Sequence, residues 1–136
     1  MRWVACLRCV KKRRGLVATM RLAQDHTAAQ QARRYARRWC NEHHLVESAV
    51  ADVELVASEL VTNALRHALP PYDFELSRVN GAVRGEVCDG STAIPTKNHD
   101  PDGRGGFGLN IVTSRTSRWG TLSSPDGKQV WFEIDQ

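Results

Sequence analysis

In ELVTNALRHA, residues 59–68, the polar side chains Glu59, Asn63 and His67 recur every four positions. At 3.6 residues per turn each step advances about 40°, so on a helix the three form one slowly drifting stripe. A carboxylate so placed can take a proton, and an amide oxygen can ligate a hard cation. On the helical wheel Asn63 lies about 90° from the middle of the apolar face, with Glu59 further round. Polar groups at that edge line a cleft if another element supplies its second wall; otherwise they are a solvated flank. His67, nearest the end of the pattern, reads as a structural helix-end histidine.

Two later stretches can supply the wall. GEVCD, residues 85–89, reads as a strand ending in Asp89, followed by the turn-prone Gly90-Ser91. GRGGFGL, residues 103–109, is glycine-rich and opens a helix. Glycines let backbone N–H groups approach phosphate oxygens, and a helix N-terminus adds favourable dipole charge. An acceptor carboxylate on a strand end, a Glu/Asn pair on a helix and an anion-binding glycine loop, in this order, form one nucleotide site. The loop residues His99, Asp100 and Asp102 have metal-ligand types but read as solvated loop polarity.

The elements that must position these groups are legible from periodicity. LVATMRL, residues 16–22, reads as a strand. Asp25 or Thr27 can cap a first helix running to about His43, with Ala28, Ala32, Tyr35, Ala36, Trp39 and Cys40 on its apolar side. A second helix spans residues 47–68, its buried face formed by Val46, Val50, Val53, Ala57, Leu60 and Ala64. Pro70-Pro71 stop it. FELSRV and AVRGEVCD flank Asn80-Gly81, a hairpin signal because both turn residues accept positive φ.

The polar stretch from Gly90 to Gly106 exceeds the ~12–15 residues usual for a structureless loop, which marks it as functional or disordered. It leads into FGLNIVTSRT, a short helix with Leu109, Ile111 and Val112 expected inward. RWGTLSS and KQVWFEID close the chain as a hairpin around Pro125-Asp126-Gly127, with Trp119 and Trp131 in the core or on the sheet surface. The order β-α-α-β-β-loop-α-β-β predicts an α+β two-layer sandwich, with about three helices on one face of a mixed, largely antiparallel sheet. Residues 1–14 read as a basic extension and residues 15–136 as the folded domain.

Composition excludes several classes. With 136 residues, 41% of them apolar and 25% charged, the chain suits one globular domain with a proper core. No apolar run nears the ~20 residues of a membrane span. The N-terminus has its basic cluster after its apolar stretch, the reverse of a secretory signal, so the expected location is cytoplasmic. Four cysteines fit that location, and the lone Cys6/Cys9 pair, without a second zinc half-site, reads as free thiols. The net charge of +4 is concentrated in Lys11–Arg14 and in Arg33, Arg34, Arg37 and Arg38. These read as solvated faces. A nucleic-acid binder would need stacking aromatics beside them, and only Tyr35 and Trp39 stand near, both on the apolar side.

The three site elements together resemble the GHKL (Bergerat-fold) ATP-binding superfamily over about residues 16–135. ELVTNALRH is similar to its N box, VCDGS to its first glycine box and GRGGFGLNIV to its second. The short format most resembles bacterial anti-sigma-factor serine kinases. That resemblance implies ATP and Mg²⁺ as cofactors, with Asn63 holding the cation that bridges the phosphates and Glu59 as general base. It implies Asp89 as acceptor for the adenine amino group, with Ser91 beside it. It implies Gly106, Phe107, Gly108 and Leu109 as N–H donors to phosphate. Residues 90–105 would be a lid, with Lys97 or Arg104 reaching phosphate.

The implied activity is serine/threonine phosphorylation of an anti-sigma-factor antagonist, with a sigma factor as the other protein partner. The alternative is a catalytically silent ATP/ADP-binding switch. A homodimer is compatible with either; membrane association and direct nucleic-acid binding are not expected. Two positions depart from the family pattern. Ser91 stands where the first glycine box has its glycine, and Gln129 where a threonine usually reaches toward adenine.

Overall fold

The structure, a computed structural model, describes residues 18–91 and 106–136. The elements in chain order are β1 (Ala18–Arg21), α1 (Ala28–Glu42), α2 (Glu47–His67), β2 (Asp73–Val79), β3 (Ala82–Asp89), α3 (Gly106–Arg115), β4 (Arg118–Ser124) and β5 (Gly127–Asp135). The predicted order and both hairpins stand. The sheet has five strands in the order β1-β2-β3-β5-β4. Every pairing among the described residues is antiparallel, in keeping with the largely antiparallel sheet of the expected α+β sandwich.

Local chemistry sets the elements. Asn80 and Gly81 both adopt positive φ (51° and 82°), which lets β2 return as β3 with Val79 paired to Ala82. Asp25 organises the approach to α1 by accepting the Thr27 N–H at 2.8 Å, while Thr27 holds the cap position without a side-chain cap bond. All six apolar α1 residues named from periodicity are buried. The α2 stripe is buried from Val50 to Ala64, but Val46 is the N-cap residue and is 66% exposed. It precedes the first helical turn, so the wheel does not place it. Leu109 likewise departs from expectation: it is 36% exposed, while Val112 carries the inward face of α3 and Ile111 is partly buried.

One sheet face carries Phe74, Leu76, Val83, Val87 and Phe132, which join the apolar sides of α1 and α2 in a single core. Each such side chain, fully withdrawn from water, contributes about 1.5–3 kcal/mol. Gly85 is required by this packing, because a Cβ there would stand 2.2 Å from the Phe132 ring. α2 lies at the centre of the helical layer, packed against α1, α3 and β3. An ion pair between Arg115 and Asp52 (3.2 Å) adds a polar tie from α3 to α2.

The other sheet face is polar. Arg84 bridges Glu86 (2.7 Å) and Glu133 (3.1 Å) while lying over the Trp131 ring at 4.5 Å. Arg118 joins Glu133 and Asp135, and Arg21 joins Asp73. Trp131 is thus a sheet-surface residue, and Trp119 packs at the core edge with its indole N–H donating to Thr113. Cys40 is a free buried thiol, its pKa pushed up to about 11 by burial, whereas Cys88 is bonded in a disulfide. Among the described residues no helix is long and apolar enough to cross a membrane.

Candidate nucleotide site

Asp89 ends β3, and its side chain is 1% exposed. A strand that stops inside the molecule leaves its last side chain facing whatever lies beyond the sheet, here under the α2 layer. Three contacts fix it. The Ser91 N–H donates to Asp89 Oδ1 at 2.8 Å, and the Gly90 N–H donates to the Leu69 carbonyl at 2.7 Å. The Lys128 ammonium lies 3.8 Å from Asp89 Oδ2, an ion pair without a direct hydrogen bond. Burial raises the Asp89 pKa above its ordinary value, against the opposing pull of the Ser91 N–H and Lys128. An ionised carboxylate kept dry is a strong acceptor for any N–H donor that enters.

Gly90 is needed for space. A Cβ at this position would meet the Pro70 carbonyl oxygen at 2.3 Å, so only glycine lets the end of β3 lie against the segment leaving α2. Ser91 departs from the family's glycine, yet its backbone N–H is what orients Asp89. Gln129 does not stand beside Asp89. The register pairs it with Cys88 and pairs Lys128 with Asp89, so Lys128 is the β5 side chain on the site's side of the sheet. Sequence reasoning missed Lys128; the signal was the tight β4–β5 turn, which fixes the register from Ser124↔Gly127 onward.

Glu59 and Asn63 both lie on α2, partly buried, and neither side chain hydrogen-bonds to another described residue. The carboxylate and the amide oxygen are therefore uncommitted. An amide oxygen of this kind fits a hard cation whose other ligands are phosphate oxygens and water. His67 is exposed in the last turn of α2, where a basic side chain complements the helix dipole. Gly106, Phe107, Gly108 and Leu109 form the first turn of α3, whose N–H groups have no acceptor within the helix. Lys97, Arg104, His99, Asp100, Asp102 and the rest of the expected lid after Ser91 lie outside the described residues, as do residues 1–17.

A shallow cleft of about 800 Å³ lies elsewhere, along α1, lined among others by Arg33, Arg34, Arg37, Arg38 and Glu54. None of its lining residues belongs to the nucleotide site. Arg37 is held by Glu47 and Glu54, Arg38 lies over the Tyr35 ring at 5.9 Å, and both Tyr35 and Trp39 are buried, so neither ring offers an exposed face to a base. Among the described residues no three His, Cys, Asp or Glu side chains gather as a metal cluster.

Residues 22–134 match the family model of the histidine kinase-like ATPase domain, and the chain belongs to that family. It is accordingly an ATP-binding domain of the GHKL type. Among solved structures, the RsbU and RsbW domains of a Mycobacterium tuberculosis protein are similar at a TM-score of 0.67 with 19% identity. That match covers 89% of this chain and 32% of the other. The histidine kinase domain of a blue-light-activated kinase from Erythrobacter litoralis is similar at a TM-score of 0.51 with 25% identity, covering 64% of this chain and 47% of the other. The chain therefore spans less than half the length of either. No curated protein matches it.

Proposed function

We propose that this domain binds Mg-ATP and phosphorylates a serine or threonine on a protein antagonist, as an anti-sigma-factor kinase does, with a sigma factor as its second partner. The observation that carries the reading is the buried Asp89 carboxylate, oriented by Ser91 and facing the helix layer that bears Glu59 and Asn63. The similarity to the RsbW domain supports the choice of a protein substrate. Asp89 accepts the adenine amino group, and the N–H groups of Gly106 to Leu109 donate to phosphate oxygens.

Asn63 would hold Mg²⁺ through its amide oxygen, and the cation would supply neutralisation of charge on the transferred phosphoryl group. Glu59, one turn before Asn63, takes the proton of the attacking hydroxyl as its oxygen bonds to phosphorus. Both α2 side chains project from a helix seated on the core, so their spacing is rigid. Lys97 and Arg104 supply further positive charge from the lid, and the protein acts in the cytoplasm.

The test is incubation with γ-labelled ATP, Mg²⁺ and antagonist-type proteins encoded near this one. Phosphoserine or phosphothreonine on one of them is the expected result. Mg-ATP binding without transfer to any protein would replace the kinase with a nucleotide-dependent switch.

A further inference from the structure

β5 enters the nucleotide site at one position. Side chains alternate between faces along a strand, so Lys128 and its partner Asp89 share the helix side with the core pairs Val83–Ile134 and Val87–Val130. Among these paired residues the only charged two face each other, where β3 ends and β5 begins. Taking a lysine this far out of water is costly unless its ammonium finds acceptors. The Lys128 side chain is only 20% exposed.

Among the described residues its one polar partner is Asp89, with the ammonium 3.8 Å from Oδ2. A direct ammonium–carboxylate hydrogen bond would bring the atoms to about 2.7–2.9 Å. The hydrogens of Lys128 are therefore not spent on Asp89, whose other oxygen is taken by the Ser91 N–H. An acceptor and a donor stand side by side at the end of the sheet. Their spacing admits two neighbouring polar atoms of a ligand, one bonded to each.

We propose that Lys128 reads the base: its ammonium donates to adenine N1 while Asp89 accepts from the adjacent 6-amino group, a role that rests on the adenine reading of Asp89. Adenine's Watson–Crick edge places the amino donor next to the N1 acceptor, which complements a carboxylate next to an ammonium. Guanine has the reverse order, O6 as acceptor and N1–H as donor. In the same pose its carbonyl would face the carboxylate and its N–H the ammonium. Such a mismatch leaves buried polar groups unpaired, and sites built on hydrogen bonds discriminate strongly for that reason. Asp89 alone recognises an amino group; Asp89 with Lys128 recognises adenine. Gln129 cannot take this part, because it pairs with Cys88 on the opposite face of the sheet.

Calorimetry with three nucleotides tests this: ATP, 1-deaza-ATP, in which C–H replaces N1, and purine riboside triphosphate, which lacks the 6-amino group. The unsubstituted protein should bind 1-deaza-ATP about ten-fold or more weakly than ATP, the effect of losing a hydrogen bond to a charged donor. Lys128→Met keeps the apolar stem and removes the ammonium, so it should bind ATP and 1-deaza-ATP alike. If the variant weakens both equally and the preference for ATP persists, Lys128 acts only through Asp89 and the proposal is overturned. Equal affinity of the unsubstituted protein for ATP and 1-deaza-ATP would also overturn it, and that comparison needs no variant to fold. Purine riboside triphosphate checks the underlying assignment. Binding as tight as that of ATP would overturn the adenine reading of Asp89 itself. Binding about ten-fold weaker, beside undiminished 1-deaza-ATP, would leave that reading standing and overturn the role of Lys128 alone.

Discussion

Replacing Asp89 separates what this residue does for the ligand from what it does to the fold. Its carboxylate is almost fully buried, with Oδ1 held by the Ser91 N–H and Oδ2 near Lys128. Asp89→Ala leaves the adenine amino group without an acceptor. A hydrogen bond involving a charged partner is worth about 1.5–3 kcal/mol, so the Kd for ATP should rise about 10–150-fold. Asp89→Asn should fall between parent and alanine, because the amide oxygen can still accept.

The ligand-free protein should respond in the opposite direction. Burial raises the Asp89 pKa above its unfolded value. The carboxyl's contribution to stability is then fully present below the unfolded pKa and lost as pH rises through the folded one. At neutral pH the ionised, desolvated group is a liability, so Asp89→Asn should raise the thermal midpoint of the ligand-free protein. The gain should vanish below about pH 4, where both side chains are neutral. Isothermal calorimetry and thermal denaturation across pH read the two effects. Undiminished ATP affinity in Asp89→Ala would refute the adenine assignment. A lower midpoint for Asp89→Asn at neutral pH would refute the desolvation argument.

Glu59→Gln keeps shape but removes basicity, so Mg-ATP affinity should hold while phosphotransfer falls about 10²–10⁴-fold in single-turnover assays. Full turnover in that variant would remove Glu59 as the base. Asn63→Ala should instead weaken Mg-ATP binding itself, seen by calorimetry with and without Mg²⁺, with circular dichroism confirming that the fold is intact. Gly85→Ala should destabilise by about 1–3 kcal/mol in urea titration, because the new methyl must displace the Phe132 ring. A neutral result there would mean the ring relocates freely.

Much of the fold was legible because burial wrote itself into period. The α1 stripe, the α2 stripe after Val46, and the Asn80-Gly81 and Pro125-Asp126 turns each follow from local rules. Val46 and Leu109 were misread at helix starts, where a residue's direction is set by the incoming chain rather than by the 100° repeat. The placement of the candidate residues was legible from the pattern: Asp89 at a strand end, Glu59 and Asn63 at a core edge. What the types could not carry was cross-strand register. Register exchanges Gln129 for Lys128 as the neighbour of Asp89 and gives Gly90 its role against Pro70. The buried acids Glu75 and Glu86 were also invisible, since alternating charge along a strand reads as a solvated face.

The central claim is that Mg-ATP sits between the end of β3 and the first turn of α3. Amide hydrogen exchange with and without Mg-ATP tests it directly, because the N–H groups of Gly106 to Leu109 have no acceptors within the helix. The account predicts slower exchange on nucleotide binding in two places, residues 106–109 and Asp89–Ser91, with the outer strand β4 unchanged. Binding that leaves both places unprotected, or that protects the arginine face of α1 instead, would contradict it.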